Sequence, residues 1–139
     1  MLKKLNFFLA LINYICDSIT MITKQQLLNF DNLAFHKHPS CDKAVMAQLN
    51  MGGITISVVA NILDGHGLYG HVDDNEYEVA MWKEGDVDMI PLGVGDDVLA
   101  GQTPVQVSKL MRDAQLDGDV WIDLLRKLRK DFRDELDLD

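Results

Sequence analysis

The amino-acid sequence predicts a single α+β domain: a small antiparallel sheet of about four strands covered by two C-terminal helices. Three observations carry this. Short β-branched or alternating runs recur between residues 44 and 92, separated by turn residues. A proline-led helix start with capping residues on both sides follows at 103–106. An apolar stripe at helical spacing then runs almost to the C-terminus. Because the strands come before the helices and do not alternate with them, a meander fits better than a parallel sheet.

Composition sets the frame. The 139 residues are 47% hydrophobic and 25% charged, ordinary for one globular domain and unlike a disordered chain. Residues 21–139 form the expected domain, and residues 1–20 differ from it. Lys3 and Lys4 precede an apolar run at 5–16, interrupted by Asn6 and Asn13. This is the outline of a short export signal, but no small-x-small cleavage site follows. The run is also shorter than the roughly 20 residues a bilayer span needs. The preferred reading is an apolar extension upstream of a start at Met21, in a cytoplasmic protein; export is the alternative. After Met21, Thr23 and Gln26 have capping-box spacing and predict a short N-terminal helix over 24–30.

Residues 29–42 read as a loop, with His36, Lys37, His38 and Pro39 solvated in it. Strands are expected at 44–49 and 54–60, joined by the turn residues 50–53 into a hairpin. Ile54, Ile56 and Val58 fall on one face, Thr55 and Ser57 on the other. Residues 61–75 read as a glycine-containing loop. At 76–82 alternation returns, with Tyr77, Val79 and Met81 inward and Glu76 and Glu78 outward. A fourth strand is expected at 87–92. Thr103 as N-cap, Pro104 at N1 and Gln106 at N3 start the first long helix, which Gly118 is expected to end. Asp119 would cap a second helix. Its stripe of Trp121, Leu124, Leu125, Leu128, Phe132 and Leu136 is too apolar to stay in water, and packing on the chain's own sheet is the preferred outcome. The charged residues around that stripe read as an ordinary mixed-charge surface.

Charge narrows the functional classes. The formal net charge is −9. Residues 64–97 hold ten acidic residues against the single Lys83, so this block alone carries −9. Such a chain is repelled by nucleic acid and by anionic membranes, and attracted by basic protein surfaces. Asp64, Asp73, Asp74, Glu76, Glu78, Glu84, Asp86 and Asp88 are the candidate partner-binding residues.

Catalytic signals are weak. His66 and His71, with Asp64, Asp73 and Asp74 nearby in sequence, have the donor types for a divalent transition metal, but their spacing matches no known metal motif. A turn-rich loop is the preferred reading, and a metal-dependent enzyme built on His66, His71 and Asp73 is the runner-up. Gly93-Val94-Gly95 is followed at once by Asp96 and Asp97, which would repel a phosphate, so no nucleotide or other cofactor is expected. The two aspartates are assigned to hydrogen bonds in the turn. Neither Cys16 nor Cys41 has a sequence-specified base, and no serine sits in a nucleophile elbow.

His38-Pro39, Gly52-Gly53 leading into Ile56-Ser57-Val58-Val59, Tyr69-Gly70, residues 76–80, Asp96-Asp97-Val98, Thr103-Pro104 and Val107 together resemble a loose family of small phage and prophage proteins without assigned activity. The resemblance covers about 36–116 and brings no catalytic residues. It implies an accessory protein that binds a host protein, such as a nucleic-acid-binding or defence protein. With the charge, it gives the expected function: a non-enzymatic binder that engages a basic host-protein surface through its acidic block. The other alternative is an oligomeric structural protein associating through its C-terminal helix.

Overall fold

The computed structural model describes residues 27–62 and 70–137. The apolar segment 1–20, Thr23, Gln26, Asp64 and His66 lie outside them. The fold is α+β, an antiparallel sheet backed by one long C-terminal helix.

The strands are β1 (His36–His38), β2 (Cys41–Asn50), β3 (Ile54–Asn61), β4 (Gly70–His71), β5 (Tyr77–Lys83) and β6 (Leu99–Gln102). Their order across the sheet is β1-β2-β3-β5-β6, all antiparallel. β4 is the exception: it pairs parallel with Ala60 and Asn61 of β3, beyond the last residue that β5 reaches.

The β2–β3 hairpin forms where the sequence places it. Asn50 Oδ1 accepts hydrogen bonds from the Gly52 and Gly53 amides, each at 2.9 Å. Both glycines sit at positive φ, a conformation that costs a side-chain-bearing residue. Alternation then puts Ile54, Ile56, Val58 and Ala60 of β3 beside Tyr77, Val79 and Met81 of β5 on one buried face.

The helix α1 (Pro104–Asp137) covers that face with Val107, Met111, Ala114 and Ile122. Its expected cap is present in both directions: the Gln106 amide donates to Thr103 Oγ1 at 3.3 Å, and the Thr103 amide donates to Gln106 Oε1 at 2.9 Å. Midway, the Gln115 side chain bonds the Leu28 amide and carbonyl, each at 2.8 Å, fastening the incoming chain to the helix. Phe30, Phe35 and Tyr77 stack beside this junction, ring centroids 5.0–5.7 Å apart.

Five expectations are corrected. The described part of the N-terminal helix is not helical at 27–29; a 3-10 turn at Phe30–Asn32 follows, capped by Asn29. The 29–42 loop contains β1 and the start of β2. Residues 87–92 are not a strand. Only Met89 bridges to Trp82, and the ladder ends there because Pro91 has no amide to donate. Ile90 and Leu92 of this segment still enter the core, and β6 takes the expected strand's place beside β5. The two C-terminal helices are one run, broken only at Asp117 (φ −155°, ψ 61°). Gly118 lies against β3, where a Cβ would stand 2.8 Å from Ile54 Cδ1, and Asp119 pairs with Lys83 at 2.6 Å. Last, the C-terminal stripe is only partly buried. Ile122, which it omitted, is 2% exposed, whereas Leu124 is 52%, Leu128 47% and Leu136 58% exposed.

This division predicts unequal costs on truncation. Met111→Ala is expected to lower the unfolding free energy by about 2–5 kcal/mol, since it empties a filled core position. Leu124→Ala should cost less than about 1 kcal/mol. Chemical denaturation of the two variants checks this, and equal losses would contradict the packing described.

Candidate acidic surface and basic helix face

The acidic residues fall into groups with different surroundings. At one end of β5, the segment from β4 to Glu76 is a tightly held turn. The ring Nδ1 of His71 accepts from the Asp73 amide at 3.1 Å, capping a 3-10 turn at Val72–Asp74. Asn75 takes the left-handed conformation that ends it and donates its amide to the Val72 carbonyl at 3.0 Å. The Glu76 amide returns to the His71 carbonyl at 3.2 Å. Gly70 is required here because a Cβ would run into the Glu76 carbonyl. The result is a fixed backbone that leaves Asp73, Asp74 and Glu76 exposed.

Glu78 differs. It lies on the face of β5 opposite the core, beside Val59, and is half-buried. Burial first, and then the negative charge of Asp96, raise its carboxyl above the ordinary value of 4.5. It is therefore less available to an incoming cation than the sequence implies. Glu84 is exposed in the turn after β5.

Beyond that turn the carboxylates meet the chain's own cations. Arg126 Nη2 donates to Asp86 at 3.1 Å. Arg129 donates from Nη1 to Asp97 and from Nη2 to the Gly93 carbonyl. The Arg129 side chain is only 14% exposed, and its Nε is buried without a hydrogen bond. Asp96 accepts from the Val98 amide at 3.2 Å, the turn role expected for it, whereas Asp97 serves the helix. Asp88 lines a groove of 580 Å³ between the 88–97 segment and α1, opposite Lys130 and Arg133.

The structure thus separates the candidates. Glu76 and Glu84 lie roughly 25 Å apart along β5 at the usual rise per residue, so the block is not one patch. Sequence reasoning missed the pairing of α1 with it. The signal was available: Arg126, Arg129, Lys130 and Arg133 are spaced i, i+3, i+4, i+7, which places four cations on one helix face.

For metal chemistry, His71 already uses Nδ1 as a hydrogen-bond acceptor and stands 3.8 Å from Asp73 Oδ2. Among the described residues, no group of three or more His, Cys, Asp or Glu side chains is placed to hold a metal ion. His36 and His38 lie on β1, and His66 is outside the described residues. No helix among the described residues is long and apolar enough to cross a membrane. Compared with known proteins, the chain matches no family model, no curated protein and no solved structure.

Two outcomes follow. A raised Glu78 means that the folded state holds this proton more tightly than the unfolded chain does. Its contribution to stability is greatest at low pH and is lost as pH rises from the ordinary carboxyl range through the raised value. Glu78→Gln should therefore remove a decline in stability with rising pH that the wild type shows, read from denaturation midpoints across that window. Arg129→Ala should cost about 1–3 kcal/mol, because it removes a largely buried side chain and leaves the Gly93 carbonyl without its donor. Arg126→Ala, at an exposed pair, should cost at most about 1 kcal/mol. The two variants are compared by urea denaturation.

Proposed function

We propose that this chain is a non-enzymatic binding protein that engages a basic surface of another protein through the carboxylates of its β4–β5 turn. The observation that carries the reading is the turn itself: Asp73, Asp74 and Glu76 are exposed on a backbone fixed by the His71, Asn75 and Glu76 hydrogen bonds. A rigid turn loses little conformational freedom on binding, so its charge acts on a partner with little offset from ordering. Asp86 and Asp97 are set apart from this surface, because α1 already occupies them.

The favoured partner carries a Lys- and Arg-rich patch of the kind used to hold nucleic acid. The resemblance of 36–116 to small phage and prophage proteins points to a host-cell protein, which would place the binder in the host cytoplasm. The net charge of −9 argues against direct contact with nucleic acid or an anionic membrane.

The test uses neutral isosteres. A chain carrying Asp73→Asn, Asp74→Asn and Glu76→Gln should associate more slowly with a partner isolated from host lysate, by about tenfold or more at low salt, with a weaker dependence on ionic strength. Asp86→Asn should leave the association rate nearly unchanged. Equal effects from the two chains, or none from either, would remove the turn from the binding surface.

A further inference from the structure

The β4–β5 turn is held by a histidine nitrogen that accepts a hydrogen bond only while it carries no proton. The Asp73 amide donates to His71 Nδ1 at 3.1 Å. A backbone amide can only donate, so the Nδ1 lone pair is bare, and the neutral ring carries its proton on Nε2. The Asp73 carboxylate is close to the same nitrogen. Its Oδ2 stands 3.8 Å from Nδ1, beyond hydrogen-bond range, on a side chain that is 87% exposed and able to turn. The His71 side chain keeps 22% of its own surface exposed, so solvent protons reach it. The same bond occurs once more, from the Ser40 amide to His38 Nδ1 at 3.0 Å. Register puts both turns at one end of the sheet, since Asn61 pairs with Ala44 of β2 and with His71 of β4. Two residues after His38 stands a serine; two residues after His71 stands a carboxylate.

We infer that His71 is a proton-operated switch for the β4–β5 turn. In mild acid a solvent proton binds the Nδ1 lone pair. The imidazolium has two N–H donors and no acceptor. It releases the Asp73 amide and takes the Asp73 carboxylate instead, in a charge-assisted hydrogen bond. The 3-10 turn at Val72–Asp74 then loses its cap. One of the three exposed carboxylates is neutralised within the chain. The charged groups of the elements around the ring are Asp73, Asp74 and Glu76 in the turn and Glu78 at the near end of β5. β3 and β6 carry none, and Lys43 of β2 flanks the end of β3, where its carbonyl accepts from the Ile62 amide. For a partner that meets the turn with a basic surface, binding is then faster at neutral pH than in mild acid; this consequence rests on the function proposed above.

The experiment follows the Asp73 amide and the His71 ring protons of the full chain by NMR from about pH 8 to about pH 5, the range in which imidazoles change charge. The amide is expected to move upfield as it loses its acceptor, with the midpoint of the ring and not that of its own carboxyl. His71→Asn keeps a capping oxygen that does not titrate, so its Asp73 amide should stay in place. A second measurement uses an oligolysine peptide as the basic probe at low salt. Its affinity for the wild type should fall by about threefold or more over the same range, the effect of one exposed charge pair, and His71→Asn should show no such fall. A ring that does not titrate in this range overturns the switch. So does an Asp73 amide that ignores the ring, or a His71→Asn chain that responds to pH as the wild type does. An amide that follows the ring, in a chain whose peptide binding is indifferent to Asp73→Asn, Asp74→Asn and Glu76→Gln together, upholds the switch and overturns the turn as the binding surface.

Discussion

Everything else in this fold depends on covering one face of one sheet. Ile54, Ile56, Val58 and Ala60 of β3 and Tyr77, Val79 and Met81 of β5 make an apolar surface that cannot face water. At about 25 cal/mol per Å² of apolar area, its burial is the largest favourable contribution available to a domain this small. One helix supplies the cover. The start of α1 is set by the Thr103–Gln106 cap, and its middle is tied to the incoming chain through Gln115 and Leu28. Asp117 breaks the run where Gly118 passes close to Ile54.

The same helix governs the electrostatics. A block of ten carboxylates with one lysine repels itself, and net charge of this size opposes compaction. α1 relieves part of the strain by bringing Arg126 to Asp86 and Arg129 to Asp97. The Arg129 site is the more consequential of the two. Its side chain is largely buried, it satisfies a backbone carbonyl as well as a carboxylate, and it joins the helix to the connection before β6. Among the described residues, no Lys or Arg is paired with the β4–β5 turn. Its carboxylates stay exposed while the Asp73, Asn75 and Glu76 amides hold the backbone beneath them, and this contrast is what recommends the turn as a binding surface.

Much of this was legible in the residues. β3 and β5 announced themselves because seven residues of alternation outweigh local noise, β2 as a short run that the Asn50–Gly53 turn joins to β3, and the helix start because Thr103, Pro104 and Gln106 act together. β1 and β6 are three and four residues long, too short to alternate, and β6 contains a glycine at positive φ. Residues 87–92 misled because Val87 and Ile90 have strand-like side chains, while Pro91 denies the backbone its ladder. Gly118 has the composition of a helix stop but serves as a point of close approach to β3. The acidic surface was legible as a list and illegible as a place. Its division depends on pairs 32 and 40 residues apart in sequence, Arg129 with Asp97 and Arg126 with Asp86. No local pattern encodes such distances.

The stripe of α1 shows how one expectation can be half right for a physical reason. An amphipathic helix must bury its apolar face, and Trp121, Ile122 and Leu125 do pack on or beside the core. The sheet is too small to receive the rest. Val120, Leu124, Leu128, Phe132 and Leu136 lie along a ridge that slants away from the packed residues, so the helix presents one apolar line inward and another outward. That outward ridge shares no residue with the β4–β5 turn.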